Sequence, residues 1–408
     1  MHLPALRSRS FRLYEGASLF SLNGLWITRI IIGWVAWQLT GSASWVGILS
    51  FFLFAPTIAT SPFFGVLMDR VKLRPAAMIS HGIVTMATFS MFLLHSTGYL
   101  TIYSLCVVAL VIGIASSAER SVRMTIVARM VELPILPNAV AIHASNFNMA
   151  RLVGPAIGGI LIERFGTGMA MQVNVLLLLP FLVALIFLKV RENTGGNVKR
   201  APFLADFTSG AKYTAFHPVI REAMILTSIS SLNVRGVMEI LPALADGLFQ
   251  RGAEGLGQMV AAGGAGALVA ALIVALHPAR KFESGIPLIA VIAIFLGLFS
   301  VAGLGMASNW TSAMVFVTIA GFCGTMIGIN MQSTIQLTVE DAYRGRVMSL
   351  WMVTGIGMSA IGALVLGFFA DTFGMTETLT AGGLAGIVLV STVRFIHLRA
   401  ARAQKTAG

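Results

Sequence analysis

Seven ionisable residues lie inside or at the ends of long apolar stretches: Arg29, Glu119, Arg120, Arg123, Arg151, Arg235 and Glu239. If those stretches face hydrocarbon, each charge near the centre costs at least ~2.5 kcal/mol, so such residues are expected to line an interior cavity. Their chemistry is electrostatic: holding a polar substrate, passing a proton, or pairing in one state and parting in another. If protons drive the process, an acid must face both sides in turn; Glu239 is the first candidate and Glu119 the second. Arg235 and Glu239 stand four apart, the spacing of an ion pair on one helix. Glu15, near the start of its stretch, is expected to pair with Arg12 at the interface.

Uncharged polar groups add to this cavity: Asn23, Trp26 and Asn233, with Asn330, Gln332 and Gln336 further on. Amides both donate and accept, and an indole offers a flat face, which suits a medium-sized amphiphilic or catechol-like ligand. Hydrogen bonding between helices explains the same amides equally well. His81, His95, His143, His277 and His397 have no spacing that gathers ligands around one ion, and Cys106 and Cys323 sit in separate apolar runs. No metal site, disulfide or cofactor is therefore expected. The sequence also lacks HExxH, GxSxG or paired catalytic carboxylates, so an enzyme is not expected.

These residues must be positioned by helices in lipid. Of 408 residues, 57% are apolar and 11% charged, against roughly 25% charged in an average soluble domain. Polar breaks divide the chain into twelve stretches, near 12–39, 45–68, 75–95, 99–122, 138–162, 167–188, 218–245, 256–277, 285–306, 310–336, 345–370 and 378–397. Each is long enough to cross roughly 30 Å of hydrocarbon as a helix. The net charge of +12 would suggest nucleic acid in a soluble chain, but its distribution argues for topology. Alternating the breaks puts 23 of the 28 Lys and Arg on the side of both termini, and only Arg164 and Arg251 on the other. By the positive-inside rule both termini are cytoplasmic, and no nucleic-acid partner is expected.

An internal repeat organises the spans. An offset of 210 brings Ser21-Leu22-Asn23 onto Ser231-Leu232-Asn233, and Arg29 onto Glu239. An offset of 208 aligns Gly154 with Gly362, Gly159 with Gly367, and Glu163-Arg164-Phe165-Gly166 with Asp371-Thr372-Phe373-Gly374. The reading is an all-α membrane protein with two six-helix bundles, 1–190 and 218–408, and a cytoplasmic linker, 191–217, carrying an amphipathic helix with Phe203, Phe207 and Phe216. Opposite charges at repeat-related positions suggest that Arg29 and Glu239 pair across a periplasmic gate; the local Arg235–Glu239 pair is the competing arrangement.

The segment Gly65-Val66-Leu67-Met68-Asp69-Arg70-Val71-Lys72-Leu73-Arg74 resembles the G-x-L-x-D-R-x-x-x-R signature of the major facilitator superfamily. Gly154-Pro155-Ala156-Ile157-Gly158-Gly159 is similar to the G-P-x-x-G-G motif of that superfamily's exporters. Ser21 to Gly41, Leu136 to Ala141, Arg151 and Arg344 to Ser349 resemble its enterobactin-exporter-like branch. Asn23-Gly24-Leu25 stands where many relatives have Gly-Asp-Trp, so the first helix lacks their acid.

The resemblance implies a secondary transporter of the inner membrane, multi-pass and monomeric, exporting a siderophore or drug at the expense of the proton gradient by alternating access. Lipid or lysolipid movement, or a non-transporting membrane role, is the alternative. It also implies a cytoplasmic lock, in which Asp69 meets a helix start near Tyr343 while Arg70 and Arg74 pair with Glu132, Glu340 or Asp341. The glycines of the second motif, with Pro155, imply close helix packing on the periplasmic side.

Overall fold

The computed structural model describes residues 4–68, 71–188, 203–276 and 285–406, and every regular element among them is helical. Lipid offers the backbone no hydrogen-bond partner, so a spanning segment must satisfy its peptide groups internally, as a helix does. Helix α1 (Arg9–Thr40) starts where the Ser8 side chain accepts from the Phe11 N–H, and stops at Gly41, whose φ of 60° lets its N–H return to the Trp37 carbonyl. Then follow α2 (Ala43–Met68), α3 (Leu73–Ser96) and α4 (Ile102–Met130), the last opened by a reciprocal Thr101–Ser104 capping box.

Helix α5 (Leu136–Phe187) has 52 residues, and a straight helix of that length would run about 78 Å, more than twice the hydrocarbon thickness. It is not straight. Gly166 interrupts it with φ 81° and ψ 163°, a conformation open essentially only to glycine, and divides it into two arms.

The second half continues with α6 (Phe203–Phe216), α7 (Pro218–Ser230), α8 (Gly236–Glu239), α9 (Gly252–Leu276), α10 (Leu288–Gly305), α11 (Trp310–Thr338), α12 (Arg344–Phe373) and α13 (Met375–Thr406). The single span expected over 218–245 is broken. A π-helical turn, Ser231–Arg235, separates α7 from α8, and another, Ala243–Leu248, follows. Each π turn adds a residue to the helical turn, and the first carries Asn233 and Arg235, two of the polar residues singled out above. Ten of the described helices, α5 counted once, are long and apolar enough to cross a membrane. Large apolar side chains such as Met86, Val107 and Phe187 stand exposed on these helices, as a lipid-facing surface requires.

The chain packs as two compact units. The first comprises Met1–Gly41, Ile48–Val198 and Ala245–Ala261; the second comprises Ser42–Gly47, Lys199–Leu244 and Ala262–Gly408. A core of Phe11, Tyr14, Leu73, Ile126, Phe181 and Leu185 ties α1, α3, α4 and the second arm of α5 together in the first unit.

Candidate transport site

The densest buried chemistry lies in the first unit, where α4 places Glu119 and Arg123 one turn apart. Glu119 is 2% exposed and its Oε1 accepts from Arg123 Nε at 2.8 Å. The same oxygen lies 2.9 Å from His81 Nδ1 on α3. The guanidinium also donates to Ser18 and Ser21 on α1, at 3.2 and 2.8 Å, and sits 3.8 Å from the centre of the Phe181 ring. His81 Nε2 is 3.0 Å from the Leu178 carbonyl. Four helical segments thus converge on one ion pair, the condition under which buried charges are tolerated. Arg120, next in sequence to Glu119, is exposed, because one step along a helix turns the side chain by about 100°.

A second buried acid corrects an expectation. Glu15 is 4% exposed and does not pair with Arg12 at an interface: its Oε1 lies 2.9 Å from His143 Nδ1, and its Oε2 accepts from Asn146 Nδ2 at 2.6 Å. Arg12 donates to the Leu6 carbonyl instead. The first arm of α5 carries two polar groups toward α1 at this level, which makes an interior acid satisfiable. Neither histidine contact is visible in sequence spacing, since 38 and 128 residues separate the partners.

Further along α1, the Arg29 guanidinium carbon lies 4.4 Å from the Trp26 ring and 4.6 Å from the Phe54 ring, and Trp26 meets Phe147 edge-on at 5.8 Å. Stacking an arginine between rings offsets part of its desolvation. Arg151, on the first arm of α5, is half-buried. The amides Asn23, Asn233 and Asn330 each donate to the carbonyl four residues earlier, so these three N–H groups are spent on their own helices; Gln336 is exposed. Asn23 Oδ1 is buried with no hydrogen-bond partner among the described residues.

In the second unit Arg235 and Glu239 are half-buried, and Arg235 Nη2 donates to the Gly324 carbonyl at 3.3 Å. A Cβ on Gly328 would come within 2.7 Å of that nitrogen, so the glycine leaves room for the guanidinium. Asp69 and Arg70 lie outside the described residues; Gly65 is in α2. Arg74 donates to the Ile186 carbonyl, and Asp341 pairs with Arg344 at 2.6 Å.

The glycine motif makes the close contacts its spacing implies. A Cβ on Gly154 would lie 2.9 Å from Trp26 Cβ, and one on Gly159 only 2.7 Å from the Ala253 carbonyl oxygen and from Gly257 Cα. Gly158 rests against Ile27 and Ile30 at ordinary contact distance, and Pro155 is buried in the same stretch. The repeat-related Gly362 packs against the Leu232 and Gly236 backbone, and Gly367 against Ala43.

The acids that the repeat aligns cap helices as well. Asp371 accepts from the Ala43 and Ser44 backbone N–H groups at 2.8 and 2.9 Å and from the Ser42 hydroxyl, closing the start of α2. Glu163 accepts from the Glu254 N–H at 3.4 Å, at the start of α9. No role for either acid was apparent from the sequence, although their alignment was.

The described residues form an all-helical chain with an apolar exterior and an ionic interior, the architecture of a multi-pass membrane protein. Solved structures agree on the fold: the nucleoside transporter NupG superposes with a TM-score of 0.76 over 95% of this chain and 98% of its own, at 13% identity. A bacterial homologue of the human lysosomal transporter Spinster, in an inward-facing and unoccupied conformation, gives 0.75 over 96% and 97%, at 14% identity. The chain belongs to the transmembrane secretion effector family, whose model matches residues 2–407, and is a transporter of major facilitator type. It is 23% identical over 397 residues to the staphyloferrin A transporter of Staphylococcus aureus, covering 95% of this chain and 96% of that protein. It is 24% identical over 356 residues to the enterobactin exporter EntS of Escherichia coli, covering 84% and 82%.

Proposed function

We propose that this chain is a proton-coupled exporter of a small amphiphilic compound of the siderophore class, working by alternating access between two six-helix halves in the inner membrane, with both termini cytoplasmic. Twelve crossings follow if the two arms of α5 count separately and the broken segment from Pro218 to Leu248 counts as one. The observation that carries the reading is the ionic interior. Glu119 and Arg123, and Glu15 with His143, are buried inside helices that otherwise face lipid, an expense membrane proteins bear where ions or substrates pass. The resemblance to the staphyloferrin A transporter and the enterobactin exporter supplies the substrate class, and the latter the direction. The coupling acid is one of Glu119 and Glu239, the monomer is the working unit, and no cofactor is required.

Proteoliposomes test this directly. With a pH gradient imposed, enterobactin or staphyloferrin A should accumulate against its own gradient, and collapsing the pH difference should abolish accumulation while downhill exchange continues. Movement of both compounds at the same rate with and without the gradient would sink proton coupling; no movement of either would sink the substrate class. For the gate, reversing Arg29 or Glu239 singly should impair transport, and Arg29→Glu with Glu239→Arg should restore a substantial part. Rescue by reversing Arg235 and Glu239 instead would assign Glu239 to its own helix.

A further inference from the structure

The hydrogen bonds around His81 do not balance without one additional proton. The Leu178 carbonyl can only accept, so His81 Nε2, 3.0 Å away, carries a hydrogen and donates. On the other side of the ring Nδ1 lies 2.9 Å from Glu119 Oε1. A neutral imidazole already protonated at Nε2 has a lone pair at Nδ1, and an ionised carboxylate has only lone pairs. Two acceptors do not rest at 2.9 Å in a buried site, so a proton lies between them, held as an imidazolium N–H or as a carboxylic O–H.

The surroundings are built to keep that proton exchangeable. Arg123 supplies a guanidinium oriented by Ser18, Ser21 and the Phe181 ring. Its bonds converge on Oε1, at 2.8 Å from Nε and 2.6 Å from Nη2, while Oε2 is buried with no hydrogen-bond partner among the described residues. A guanidinium serving only to neutralise a carboxylate commonly engages both oxygens. Leaving one bare forgoes stability in exchange for a carboxylate that is not saturated. Among the described residues Arg120 on α4 and Tyr14 on α1 are also in electrostatic reach of Glu119, and Glu15, with His143 of α5 behind it, reaches Tyr14.

We propose that His81 and Glu119 form a proton-binding site, one proton shared across the contact, and that its loss forces α3 and α4 out of the arrangement seen here. This deepens the proton-coupled reading and rests on it. On release the proton passes to water, the electron pair of the broken bond stays on Nδ1 or Oε1, and two lone pairs are left opposed. Glu119 keeps Arg123, so the imidazole turns away. Rebinding a proton restores the contact. The step is a proton transfer only, and no oxidant, reductant or leaving group takes part.

Gradient-driven movement of enterobactin should fall at least tenfold in Glu119→Gln and in His81→Asn reconstituted in proteoliposomes, with downhill exchange retained as proof of folding. Wild-type protein indifferent to the pH gradient overturns proton coupling as a whole. A coupled wild type with an equally coupled Glu119→Gln overturns this site alone and moves coupling elsewhere, to Glu239 if Glu239→Gln is then the variant that fails. A second readout needs neither transport nor substrate. In nanodiscs, nitrogen-15 spectra of histidine-labelled protein, with His81 assigned through His81→Asn, are combined with the infrared carboxyl band removed by Glu119→Gln. They should show a doubly protonated His81 or a protonated Glu119 at neutral pH. A singly protonated His81 beside an ionised Glu119 overturns the proposal.

Discussion

The interiors of the two units differ most where the repeat should make them alike. In the first, α4 buries Glu119 and Arg123; at the corresponding offset of 208, α11 buries Ile327 and Met331. The second unit keeps its buried acid elsewhere, Glu222 on α7, paired with Arg394 at 2.6 Å, where the arginine side chain retains 22% exposure. The backbone devices, in contrast, are duplicated: the glycine contacts at Gly154 and Gly362, the acid caps at Glu163 and Asp371, and the glycine breaks at Gly166 and Gly374. Packing has kept the symmetry while interior chemistry has abandoned it. The packing devices are carried by both halves; among the described residues the carboxylate–histidine contacts at 2.9 Å lie in the first.

The largest effect should come from stripping the countercharge. Arg123→Met leaves Glu119 Oε1 with His81 alone and takes the buried donor from Ser18 and Ser21, and should cost about 3–5 kcal/mol, seen as a lowered Tm in detergent. Met331→Leu, at the offset position, should cost less than about 1.5 kcal/mol. Equal melting temperatures would erase the contrast. Transplanting the pair sharpens it: Ile327→Glu with Met331→Arg introduces the ions where the repeat supplies Ser228 and Ser231 for Ser18 and Ser21 but no counterpart of His81, and should destabilise by roughly 1–4 kcal/mol in the same assay. A neutral result would mean that the second interior can solvate charge as well as the first.

Glu222→Gln should cost about 1–2 kcal/mol, below the Arg123 effect because Arg394 can turn to water when its partner is neutralised. The caps come last. Asp371→Ala should lose about 1 kcal/mol, and Glu163→Ala only a few tenths through its single bond of 3.4 Å. Raising salt should shrink both losses, since both acids are exposed; thermal shifts at two ionic strengths check this, and salt-independent losses would indicate packing.

Much of this was legible in the residues themselves. The apolar stretches located the helices, and the spacing of Gly154, Gly158 and Gly159 announced a close neighbour. Glu119 and Arg123 were singled out as interior charges, but their pairing one helical turn apart was not read. What sequence could not supply was rotation and partnership across helices. Arg120 looked as much a cavity residue as its neighbours until the helix turned it outward. Glu15 was assigned to the nearest arginine in sequence, whereas packing gave it His143, and His81 showed no ligand spacing because its partner is a carboxylate on another helix. In the seventh span the first π turn, Ser231–Arg235, has no proline to announce it, whereas Pro242 stands directly before the second.

Gly166, with φ 81°, and Gly374, with φ 99°, reverse the chain with almost no loop. During synthesis, a crossing helix joined to its successor by a single residue offers nothing for the translocation machinery to hold in water between them. The two arms of α5, and α12 with α13, are therefore expected to enter the bilayer as hairpins rather than one crossing at a time. Biogenesis of this protein has fewer independent decisions to make than it has crossings.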